Sequence, residues 1–112
     1  VTSDARREDV FERKTYDVAA AGGTVSVQLR TAAEVARLDA RHRKEGVLDQ
    51  VAFNRDLFAE SVVGWAGPFF EGHEASRAEA ESLYDVHTDL ANEVLGKAVL
   101  ARRADREAAR GN

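Results

Sequence analysis

Residues 47–68 read VLDQVAFNRDLFAESVVGWAGP, the longest apolar-periodic stretch of the chain, and they hold its only Trp and its only Pro. At helical spacing Val47, Val51, Phe58, Val62 and Trp65 fall on one stripe, the pattern of a helix buried along one face. Phe53 and Leu57 fall roughly opposite, since two positions at about 100° each carry the chain around the axis. A helix over about 48–66, stopped by Gly64, Gly67 and Pro68, is therefore expected. With large apolar groups on two faces, it needs two surfaces to pack against. Either this domain supplies both or a partner supplies one.

Upstream, the period changes from helical to two. Thr24, Ser26, Gln28 and Arg30 alternate with Val25, Val27 and Leu29, which predicts a strand with one apolar and one wet face. Arg13 to Val18 is rich in Thr, Tyr and Val, and Gly22-Gly23 offers the positive-φ positions of a tight reversal, so a β-hairpin is expected over 11–30. Two strands alone are marginal in water, and this pair needs helices or another chain to lie on. Residues 1–10 read as a polar arm. Thr31 and Glu34 have the spacing of a capping box, which predicts a helix over about 31–45 with Gly46 as its stop.

Downstream, GPFFEGHEA (67–75) has turn chemistry at both ends and two adjacent aromatics, Phe69 and Phe70, which an extended segment does not bury together. Ser76 and Glu79 form a second capping-box pattern and open a helical region over about 76–100, which either continues through 84–87 or breaks there with Asp85 as a new cap. Within it His87, Leu90, Ala91, Val94, Leu95, Ala98 and Val99 make an amphipathic stripe. Gly96 costs up to about 1 kcal/mol in mid-helix and permits close approach of another backbone. The tail, 101–112, is charged and helical in composition. The fold class expected is α+β, mainly α: an N-terminal β-hairpin followed by three or four helices, in one globular domain over 11–100.

The 112 residues suffice for a single core that buries roughly two thirds of the unfolded surface without staples. There is no Cys, which excludes thiol chemistry and Cys-ligated zinc. No apolar run approaches a membrane span, and the charged N-terminal residues are unlike a secretory signal, so no membrane is expected as partner. The net charge of −4 and pI near 5.4 argue against a nucleic-acid partner. The three histidines, His42, His73 and His87, are scattered. His42, one turn after Leu38, reads as a boundary residue at the edge of the core. Asp85 and Asp89 would share a helix face, for which a solvated surface is the simpler reading than a cation site. The sequence offers no nucleophile elbow, no phosphate loop and no metal spacing. The expectation is a protein without catalytic, cofactor or metal residues.

What remains is interaction chemistry. Phe53 and Leu57, with Phe69 and Phe70 near in sequence, are the candidate partner-binding residues, and a self-association face is the other use of the same groups. The competing reading is that the hairpin and the later helices cover both sides of the central helix. From Glu71 to Glu93 acids outnumber bases, whereas 101–112 is rich in Arg. Acid near a helix start and base near its end account for part of that gradient.

The order of these features resembles the tail assembly chaperones of long-tailed bacteriophages. The matching pieces are TVSVQLR at 24–30, the helix start at 31–38, the helix at 53–65 ending in SVVGW, the Gly-containing loop at 67–72 and the helical region at 76–100. The loop is richer in aromatics than the acidic loop expected there. The resemblance implies binding to the tape measure protein, which is kept soluble while the tail tube assembles, in the cytoplasm of the bacterial host. The alternative is a virion structural component, such as a small tail or neck subunit held by symmetric contacts through the hairpin edge; the partner expected is the tape measure protein or another phage tail protein, with a homo-oligomer as a further option.

Overall fold

The computed structural model describes residues 13–110, and the expected arm at 1–10 lies outside them. Two strands, β1 (Tyr16–Ala20) and β2 (Gly23–Val27), form the expected hairpin in antiparallel register, with Tyr16 opposite Val27 and Ala20 opposite Gly23. The reversal is Ala21-Gly22, not Gly22-Gly23: both turn residues have positive φ, 51° and 73°, as a two-residue turn matched to strand twist requires. Gly23 already belongs to β2. Val18, Ala20, Val25 and Val27 are buried, so the predicted apolar face is the inner one.

Helix α1 (Ala32–Arg41) starts with the reciprocal capping box. Thr31 Oγ1 accepts from the Glu34 amide at 3.2 Å, and Glu34 Oε1 accepts from the Thr31 amide at 2.9 Å. The helix ends four residues earlier than the expected 45. There the chain makes a second miniature hairpin, β3 (Arg43–Lys44) and β4 (Val47–Leu48), around Glu45-Gly46, again with two positive φ values. Arg43 holds this tip by binding Asp39 and the Gly46 carbonyl.

The central helix is shorter than expected. α2 spans Gln50–Ser61, capped by Asp49, whose Oδ1 accepts from the Ala52 amide at 3.1 Å. The VVGW stretch is not its end but a strand, β5 (Val62–Ala66), which pairs antiparallel with β2 and completes a three-stranded sheet in the order β1-β2-β5. Val25 faces Trp65, Ser26 faces Gly64 and Val27 faces Val62, with a bulge that leaves Val63 as an extra, exposed residue. Because of that bulge, Val62 and Trp65 share the inner face although they are three residues apart, the same face-sharing a helix would give them. The expected stripe is corrected accordingly: Phe58 is fully buried, Val62 and Trp65 are half-buried in the sheet, and Val47 and Val51 are exposed.

After a short 3-10 turn at Pro68–Phe70 come α3 (Arg77–Val86), N-capped by Ser76, and α4 (Thr88–Arg110). The helical region breaks at His87. Asp85 lies in the last turn of α3 rather than capping α4, and Asp85 and Asp89 lie on different helices. α4 runs unbroken through the charged tail and packs its buried Ala91, Val94 and Ala98 over the hairpin, while α2 packs between α1 and α3. The core joins the inner sheet face to Phe58, Ala59, Phe70, Ala80, Leu83 and Tyr84.

Candidate interaction surface

The loop after β5 is built by a glycine crossing. Gly67 has φ 129°, and a Cβ on Gly23 would sit 2.1 Å from the Ala66 carbonyl oxygen, so β2 and the exit of β5 meet backbone to backbone. Pro68 then opens the 3-10 turn, closed by the Phe70 amide on the Gly67 carbonyl at 3.0 Å. The Trp65 indole N–H donates to the His73 carbonyl at 2.7 Å and fixes the return of the loop.

This turn separates the two aromatics. Phe70 goes inward, 6% exposed, and stacks on Trp65 with centroids 4.9 Å apart. Its expected place among partner-binding residues is thereby corrected: it is core, and its ring supports the loop. Phe69 goes outward, 44% exposed, its ring edge-on to Phe70 at 5.1 Å and to His87 at 5.4 Å. Beside His87 in the chain is Val86, 73% exposed at the end of α3. Phe69 on the 3-10 turn and Val86 at the end of α3 are thus two exposed apolar side chains linked through His87, in a stretch of sequence whose exposed acids include Glu71, Glu74 and Asp89.

Phe53 and Leu57 have less exposed surface than Phe69 and Val86. Both are half-buried on α2. Sequence reasoning did not single out Val86: a break over 84–87 is open in the sequence, but which residue it leaves exposed depends on tertiary packing.

No protein-family model, curated protein or solved structure matches this chain.

The strongest polar cluster joins α2 to α1 and α3. Asp56, buried, receives the Arg41 guanidinium at 2.9 Å and the His42 Nε2 at 2.8 Å on Oδ2, and the Arg77 guanidinium on Oδ1. Glu60 takes a second bond from Arg77 at 3.3 Å. Arg55 binds Asp85 through both carboxylate oxygens and Glu81 at 3.2 Å. Burial alone would push the Asp56 carboxyl up. The bonds from His42, Arg77 and Arg41 outweigh it and hold its pKa at about 2. A carboxylate saturated in this way is a clasp between α1, α2 and α3 rather than a proton donor. His42 is indeed a boundary residue. Among the described residues no three His, Asp or Glu side chains are grouped to hold a metal ion, and no helix is long and apolar enough to cross a membrane.

Proposed function

We propose that this protein is a small binding module that covers apolar stripes of a helical client, acting as a tail assembly chaperone on a phage tape measure protein in the bacterial cytoplasm. The observation that supports it is the outward Phe69, set on a structured turn against His87, together with the exposed Val86 next to His87 in the chain. Apolar surface on a fixed support, rather than on a mobile loop, binds at low entropic cost. The resemblance in feature order supports the same reading through the hairpin, the capped helix and the helical region. Its SVVGW piece supports it less, since the resemblance expects a helix end where this chain has a strand.

The test is co-expression with the tape measure protein of the same phage. Phe69→Asp with Val86→Asp should abolish co-purification while far-UV circular dichroism stays unchanged, as both side chains are largely outside the core. Undiminished capture by that variant would overturn the assignment of the surface. Recovery of the protein at fixed stoichiometry in purified particles would instead make it a structural tail component.

A further inference from the structure

α4 presents a second unpartnered face. Its core side carries Ala91, Val94 and Ala98, and at about 100° per residue the opposite side carries Asp89, Glu93, Gly96, Leu100, Arg103 and Glu107, all exposed. Leu100 is 60% exposed at the middle of that side. One turn before it, a Cβ on Gly96 would meet nothing within 4 Å, so nothing in the described fold uses the space this glycine leaves open. Along the face the charges run acidic Asp89 and Glu93 before the pair, then basic Arg103 and acidic Glu107 after it, with Arg106 and Arg110 on its flank.

We infer that this face docks on the same face of a second copy of the chain, the two helices antiparallel about a two-fold axis level with Ala98. In that register each residue meets the one equidistant across the axis. Leu100 seats on Gly96 of the second copy, and Glu93 faces Arg103 at both ends. Asp89 meets Glu107, whose neighbours Arg103, Arg106 and Arg110 keep that end basic. A parallel pair would set Glu93 against Glu93 and Arg103 against Arg103, so the charge order selects the antiparallel one. Within one copy Glu93 has only a 3.8 Å pair with Lys97, and Lys97 also donates to the Ala19 carbonyl at 2.7 Å. The apolar contribution is one leucine per copy, so the association leans on its ion pairs and weakens with salt. The face includes neither Phe69 nor Val86, and the inference stands apart from the client-binding reading.

Sedimentation equilibrium tests it. The wild-type chain should show a monomer–dimer equilibrium at low ionic strength that shifts to monomer as salt is added. Leu100→Asp should be monomeric. Glu93→Arg turns two attractive contacts repulsive and should weaken the dimer roughly tenfold, and adding Arg103→Glu should restore it. Because the chain has no Cys, single variants Gly96→Cys and Leu100→Cys mixed under oxidising conditions should give mainly the mixed disulfide. A wild-type chain that stays monomeric, a dimer indifferent to Leu100→Asp, no rescue in the charge-swapped double variant, or a predominance of like-with-like disulfides would each overturn the inference.

Discussion

Asp56 ties three helices together with one carboxylate, and its titration makes that clasp measurable. Its pKa of about 2 in the folded chain lies below the ordinary 3.8. A depressed carboxylate stabilises the fold at pH values above its unfolded pKa, and the contribution is lost as pH falls through the folded one. The window is therefore from about pH 4 down to about pH 2, and the side chain, 7% exposed, is sheltered enough for the shift to count at about 2 kcal/mol. Asp56→Asn should cost that amount at neutral pH in urea unfolding, and the deficit should shrink towards zero as both proteins are taken to pH 2. A deficit that stays constant with pH would assign the loss to packing instead. None of this was legible from the sequence. Its partners Arg41, His42 and Arg77 lie 15, 14 and 21 positions away, and helical periodicity treats an Asp among apolar residues as a solvent position. His42 was placed correctly at the core edge because its spacing from Leu38 is local.

Among the elements, those with local punctuation were readable: the capping box at Thr31, the N-cap at Ser76, whose Glu79 binds His73 instead of closing a box, and the alternating strand of the hairpin. The central helix was misread beyond Ser61 because a bulged strand and a helix can both put residues three apart on one face, and only pairing with β2 distinguishes them for Val62 and Trp65. The double glycine is not one turn: its two members do different things. Gly22 supplies positive φ in the reversal, and Gly23 lets the backbone of β5 approach. Substitutions on the two sides of that hairpin should therefore move stability in opposite directions. Ala21 bears a left-handed φ that Asn tolerates better, so Ala21→Asn should stabilise by about 1 kcal/mol. Gly23→Ala drives a methyl group into the Ala66 carbonyl and should cost about 1–3 kcal/mol. Thermal melts of the two variants decide it, and equal effects in the same direction would refute the division of roles.

At the scale of the whole molecule, strands far apart in sequence close one sheet, and the chain spans 46 × 42 × 20 Å, two layers thick. β5 follows α2 without a connecting residue, so the sheet and the helical layer share a continuous backbone at Ser61–Val62. Phe58, one turn upstream, is fully buried, with its ring 6.3 Å from Tyr84 of α3. Through α2 it couples the two layers. Phe58→Ala should therefore cost about 3–5 kcal/mol through the cavity it leaves. The loss should be shared by the whole chain. Trp65, the only tryptophan, stands in the sheet against Phe70, so its fluorescence reports one layer while far-UV circular dichroism reports mainly the helices. In denaturant titrations both signals should shift to the same lower midpoint in the variant, as for a single cooperative unit. A circular dichroism midpoint that falls while the Trp65 midpoint holds would show that the sheet and the helical layer unfold separately, and that Phe58 stabilises the helices alone.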